Sequence, residues 1–310
     1  MNDYNRIKIT NEDTGEETRQ VLKKNEILVP QREYSEKEKY FMNKKNDIRK
    51  YNEELGGFIN MSYRDTNVFD NLNPSTVTRL IYLATFIDYN NKECNLLVKR
   101  TQHNKLVPMT RADIKQVMGL SEAQFKKFLK ELKDNELLFE NNNKFYISDV
   151  YFQKGKIDNM EGNTSYRAGY YTRVYINTVR ALYNSCDVRE HKTLSYIFRL
   201  IPYVHCKNNA LVADANDSVV KGKLEATDVM QILGLSTNKR AKNKMLDKLS
   251  DFYITVNGKK YYVMNWIKVK QHTEEGKKVW IDYLCISPML ISKCNDYEVI
   301  QEVNDKLQID

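Results

Sequence analysis

From residue 57 onward the apolar positions of the chain follow an order that is met twice. In residues 74–89, Pro74-Ser75 opens a stretch that sets Val77, Leu80, Ile81, Ala84 and Ile87 at helical spacing, which predicts a packing helix with one apolar face. After a polar loop around His103-Asn104, Thr110 is placed to cap a short helix over 111–118 that stops at Gly119, a residue suited to left-handed backbone. Ser121 follows, and with Gln124 three positions on it forms a capping box that starts a new helix. Two helices separated only by Gly119-Leu120-Ser121 make a helix-turn-helix. In the second of them Phe125, Phe128, Leu129 and Leu132 share the buried side, which leaves Ala123, Lys126, Lys127 and Lys130 outward. Residues 137–140 and 144–147 flank Asn141-Asn142-Asn143 and predict a strand–turn–strand hairpin whose second strand begins at Lys144.

Sliding the chain over itself by 115 positions brings up the same plan again. Residues 112–121 (ADIKQVMGLS) then lie over 227–236 (TDVMQILGLS), identical at Asp113/Asp228, Gln116/Gln231, Gly119/Gly234, Leu120/Leu235 and Ser121/Ser236. The same offset, without a gap, sets 78–89 over 193–204. In the second copy the helix after Ser236 is expected to bury Ala241, Met245, Leu249 and Phe252 and to turn Lys239, Arg240, Asn243 and Lys244 outward, with Lys242 adding charge. A hairpin is predicted over 253–264, turning at Asn257-Gly258, the pair preferred by two-residue turns, with Lys259 and Lys260 at its tip.

The rest of the chain is organised around these copies. Residues 1–56 are polar: 6–10 and 18–22 flank a turn-rich stretch at 11–15, and Ser35 with Glu38 caps a charged helix running to Leu55. Phe41, Ile48 and Leu55, with Tyr51, give that helix one thin apolar stripe, read as packing on the first domain or, alternatively, as a dimer contact. The predicted organisation is an N-terminal extension (1–56), a first domain (57–153), a linker (154–169), a second domain (170–292) and a C-terminal tail or helix (293–310). The expected fold class is α+β, two tandem winged-helix domains.

Charge sharpens this picture more than composition does. The 310 residues carry 49 Lys and Arg against 41 Asp and Glu, net +8, so the surface field favours a polyanion. The positive charge concentrates in the second helix-turn-helix: residues 237–249 hold five basic residues and one acid, whereas 122–134 hold four lysines and three acids. A helix of that kind fits the major groove while a hairpin lies on the adjacent backbone. Lys126, Lys127, Lys130, Lys144, Lys239, Arg240, Lys242, Asn243, Lys244, Lys259 and Lys260 are therefore the candidate DNA-binding residues. A purely solvated lysine face is the competing reading, and it fits the first helix better than the second.

Other chemistry finds no foothold. A mean hydropathy of −0.65 predicts no membrane association, and the first residues lack a secretory pattern, so a cytoplasmic protein is expected. The five cysteines are scattered without a C-x-x-C pair, which fits reduced thiols and predicts neither disulfides nor a metal site. Without a Gly-rich phosphate loop, a His-hydrophobic-His pair or a His-x-x-Arg set, the chain is expected to be no enzyme and to need no cofactor.

The duplicated D-[IV]-x-Q-[IV]-[ML]-G-L-S turn and the helix–turn–helix–hairpin order over about 57–292 resemble the iteron-binding replication initiators of plasmids and phages, which are built of two winged-helix domains. That resemblance implies sequence-specific binding of double-stranded DNA at repeated origin sites and a switch between dimer and monomer. A second copy of the chain and host replication proteins are the further partners expected. The charged N-terminal extension departs from the family plan. Two other readings stay open: a transcriptional regulator of a mobile element, and a winged-helix adaptor that binds protein.

Overall fold

The computed structural model describes residues 4–10, 17–23, 34–62, 67–89, 95–155, 171–216, 220, 222–272 and 278–309. The predicted turn at 11–15, most of the linker and Cys94 lie outside them. The chain divides into two compact units, Met1–Asn43 and Lys44–Asp310. In the first, β1 (Tyr4–Thr10) and β2 (Glu17–Lys23) pair antiparallel from Tyr4↔Lys23 to Thr10↔Glu17. Helix α1 (Glu36–Glu54) contributes to both units and begins as predicted, the Glu38 carboxylate accepting from the Ser35 main-chain N–H at 3.0 Å. Its stripe is only half covered: Tyr51 and Leu55 are buried, whereas Phe41 is 58% exposed. The chain leaves α1 through Gly56, at φ +75, where a Cβ would meet the Asn177 side chain at 2.2 Å; only glycine fits that approach.

The second unit holds both repeats in one mixed α+β structure. The first runs β3 (Phe58–Ser62), α2 (Asn67–Asp70), α3 (Pro74–Ala84), β4 (Val98–Arg100), β5 (Leu106–Pro108), α4 (Arg111–Met118), α5 (Glu122–Asp134), β6 (Leu138–Asn141), β7 (Lys144–Ile147) and β8 (Phe152–Gln153). Helix α3 stops at Ala84, short of the predicted 89, and Ile87 bridges Leu97 instead, so the apolar run turns from helix to sheet without leaving the core. Thr110 caps α4 as expected, in a box with Asp113, Ser121 with Gln124 forms the expected capping box, Gly119 between them is left-handed at φ +61, and Phe125, Phe128, Leu129 and Leu132 are buried.

The second repeat runs β9 (Tyr171–Tyr175), α6 (Ile176–Ser185), α7 (His191–Arg199), α8 (Ala226–Ile232), α9 (Lys239–Ser250), β10 (Tyr253–Val256), β11 (Lys259–Tyr262), β12 (Met264–His272), β13 (Lys278–Ile286), β14 (Ile291–Ser292), α10 (Tyr297–Leu307) and β15 (Gln308–Ile309). The main-chain hydrogen bonds fix which residues correspond. Leu97 N–H donates to Phe145 as Leu211 N–H does to Leu284, Ile147 to Asn95 as Ile286 to Asn209, and Phe152 to Ser148 as Ile291 to Ser287. Ser148 N–H donates to Leu137 as Ser287 N–H donates to Val263. The counterpart of β6–β7 is thus β12–β13, whose register runs from Met264↔Ile286 to His272↔Lys278, and not the Asn257-Gly258 hairpin at the 115-residue offset.

The β10–β11 hairpin does form, with Asn257 at φ +51 and Gly258 at φ +78, but it is inserted between α9 and β12. Phe252 and Val263 close its base with a main-chain hydrogen bond, and β15 adds a third strand to β11. The predicted C-terminal helix is α10, ending in that strand.

The repeats are joined through equivalent elements. One four-stranded sheet has the order β14-β9-β3-β8. Asn60 pairs with Gln153 as Arg173 pairs with Ser292, so β3 and β9 correspond, and across their antiparallel ladder Asn60 faces Arg173. Equivalent positions opposite one another are the mark of a two-fold relation. On helices α3 and α7, also equivalents, Thr78 Oγ1 donates to the His191 carbonyl at 2.8 Å, and nearby Tyr82 stacks on Tyr183 at 3.8 Å. One hydrophobic cluster runs through both repeats, from Val77 and Phe125 to Val229 and Leu249. His191 stacks on Tyr183 within it, and burial, then the Arg79 charge, holds its imidazole down at about 4.

Candidate nucleic-acid interface

Each repeat presents the helix that follows its tight turn. In α5, Lys126, Lys127 and Lys130 are exposed on the side opposite the buried phenylalanines, as the 100° step requires. Of these three, Lys130 alone is ion-paired among the described residues, and other lysines of the motif are answered from within. Lys130 Nζ lies 2.5 Å from Asp134, Lys115 lies 2.8 Å from Glu122, and Lys133 reaches Glu140 at 2.6 Å, tying the helix to β6. Glu122 sits in the first turn, and its carboxyl is held below the usual range first by the Lys115 hydrogen bond. Lys144, at the start of β7, is half-buried.

Helix α9 is arranged otherwise. Lys239, Arg240, Asn243 and Lys244 are exposed, and no acidic residue stands in the first turn. Among the described residues no ion pair engages Lys239, Arg240 or Lys244. Two expectations are corrected. The helix starts two residues after Ser236: Asn238 is the cap, its Oδ1 accepting from Arg240 N–H at 3.0 Å, while Ser236 Oγ accepts from Asn238 N–H. Ala241 is exposed and Met245 only half-buried, and Leu249 is the one buried side chain of α9. Lys242 does not join the outward set; its Nζ donates to Thr227 Oγ1 at 2.9 Å and holds α9 to α8.

The hairpins differ as well. Lys259 and Lys260 are exposed, but the tip of their inserted hairpin lies by α1, where the Asn257 amide donates to the Glu54 carboxylate. Strands β12 and β13 are nine residues each against four in β6 and β7. Their register sets Lys268 opposite Asp282 and Lys270 opposite Trp280, with Lys268 and Trp280 exposed. Sequence reasoning missed this hairpin. Its signal was the alternation in Trp266-Ile267-Lys268-Val269-Lys270, which the stronger Asn-Gly turn next to it overshadowed.

Among the described residues no group of three His, Cys, Asp or Glu side chains is disposed to hold a metal ion, and no helix is long and apolar enough to cross a membrane. Cys186, Cys206, Cys285 and Cys294 are free thiols. Compared with family models, with curated proteins and with solved structures, the chain matches none.

Proposed function

We propose that the protein binds double-stranded DNA sequence-specifically through two winged-helix repeats, and that it serves as a replication initiator on repeated origin sites. The observation that carries the reading is α9: Lys239, Arg240, Asn243 and Lys244 stand exposed on one helix, its first turn free of acids, after a tight turn that faces solvent. Arg and Asn present the paired groups that match guanine and adenine edges, and lysines hold phosphates. In this reading β12–β13, rather than β10–β11, is the wing that follows α9. The near two-fold pairing of β3 with β9 places two reading helices in one unit, which suits inverted half-sites within each repeated site. A second copy of the chain and host replication proteins are the proposed partners.

The test is a nuclease footprint of the purified protein on the DNA flanking its own gene. Protected direct repeats are expected. A protected promoter palindrome would make the protein a transcriptional regulator, and absence of any protection at low salt would leave the protein-binding adaptor.

A further inference from the structure

The first unit carries a charge arrangement that neither repeat contains. In an antiparallel ladder opposite residues share a face, and successive residues alternate between faces. The register of β1 with β2 therefore sets Arg6 and Lys8 on one face with Glu17, Arg19 and Lys23, and sets Ile7 and Ile9 on the other with Leu22. The first face takes every charged residue of the two strands and the second takes none. Such a division is that of a sheet with one polar and one apolar side. The polar side is not a mixture of signs, for four cations stand there against one acid.

The register also concentrates the positive field. Lys8 lies directly opposite Arg19, a like-charge pair that costs the ladder stability, and Arg6 is diagonal to both Arg19 and Lys23. Glu17 stands at the end of the ladder, opposite Thr10. With seven residues in each strand the face is about 20 Å long. Duplex DNA carries one phosphate charge per about 1.7 Å of its axis, so a face of that length spans more phosphates than it has cations. A lipid surface would instead meet the face of Ile7, Ile9 and Leu22, and the cations would then lie on the side away from the headgroups. A polyanion needs the charged face alone.

We infer that the β1–β2 hairpin is a further, sequence-independent contact to double-stranded DNA, its face of Arg6, Lys8, Arg19 and Lys23 laid along the phosphates. The inference rests on the DNA-binding reading for the identity of the polyanion, but on no residue of α5 or α9. Phosphate contacts hold a protein on the duplex without reading its sequence, so the hairpin adds affinity and no discrimination. Lysine and arginine serve alike in that role, because charge is what the contact uses.

The experiment is a mobility-shift titration of the full chain on a scrambled duplex between 50 and 200 mM salt, beside a variant in which Arg6, Lys8, Arg19 and Lys23 are all replaced by Gln. The variant's slope of log affinity against log salt should be shallower by about 3–4, so that over this range its affinity falls about 10²-fold less. Its preference for the footprinted duplex over the scrambled one should not change. Arg6→Gln with Lys23→Gln alone should give about half the effect, and Arg6→Lys with Arg19→Lys none; the melting midpoint checks the fold of each. A fourfold variant with the wild-type slope, an altered specificity ratio, or a lost slope in the Lys variant would overturn the assignment. So would a fourfold variant that loses binding to phosphatidylserine vesicles and keeps it to duplex. Failure of the reading of α9 is distinct: Lys239, Arg240 and Lys244 replaced by Ala would then leave the slope as it is, while the hairpin variant still flattens it.

Discussion

Helix α5 begins in a reciprocal capping box, carries Glu122 in its first turn and buries four side chains; α9 begins at a lone Asn238 cap, carries Lys239 and Arg240 in its first turn and buries Leu249 alone. The two occupy the same place in their repeats, so the contrast lies in what each sequence satisfies. A carboxylate near a helix N-terminus stabilises it by about 0.3–1 kcal/mol, and a cation there opposes the dipole by a similar amount. In α5 the charges answer one another across Lys115–Glu122 and Lys130–Asp134. In α9 they are left facing solvent at the end of the helix where its own field is least favourable to them. Cations at that unfavourable helix position are what the proposed DNA-binding reading requires.

The largest effect that tests this contrast is the salt response. If about 6–10 phosphates are neutralised, affinity for a duplex falls by roughly 10³–10⁵ between 50 and 200 mM salt. Replacing Lys239, Arg240 and Lys244 with Ala should flatten that slope by about three phosphates' worth, more than the same treatment of Lys126, Lys127 and Lys130. Equal slopes for the two triple variants in a mobility-shift titration would break the comparison.

Next in size is discrimination. Arg240→Ala or Asn243→Ala should lower the preference for a cognate over a scrambled duplex by about 1–3 kcal/mol, while Lys127→Ala weakens both duplexes alike. Competition titrations at fixed salt read this directly, and a double Arg240 and Asn243 variant that keeps its full specificity ratio would place sequence reading elsewhere.

Smaller effects separate the two helix starts. Ser121→Ala and Asn238→Ala should each cost about 1 kcal/mol in urea unfolding, and Ser236→Ala less, because Ser236 caps no helix. The smallest effect is the most pointed. Lys239→Glu should stabilise the fold by about 0.3–1 kcal/mol, by the dipole argument, and at the same time weaken duplex binding. A variant that loses stability and binding together would mean that Lys239 serves the fold.

How much of this was legible in the sequence follows from how local each determinant is. The caps at Thr110 and Ser121, the left-handed Gly119 and the buried face of α5 depend on residues within one or two turns, and they lie where the pattern put them. The start of α9 was misplaced because Ser236 copies Ser121 in type, while Asn238, two residues on, takes the cap. The role of the Asn257-Gly258 hairpin was misassigned for a different reason. Its strands fall at the ungapped 115-residue offset from β6 and β7, yet the hairpin equivalent to that pair is set by bonds such as Leu211 to Leu284, which connect residues far apart in sequence.

The central sheet also sets a schedule for the growing chain. Strand β3 is complete at Ser62, but its ladder partners are β8, some ninety residues on, and β9, beyond 170; β14, which closes the other edge, emerges only near residue 292. On a ribosome adding about 5–20 residues per second, the first repeat waits several seconds with an apolar strand edge unpaired. Pairings this distant make folding slow and expose such edges to other chains. The joint that holds the two repeats in one body thus waits for strands from both of them.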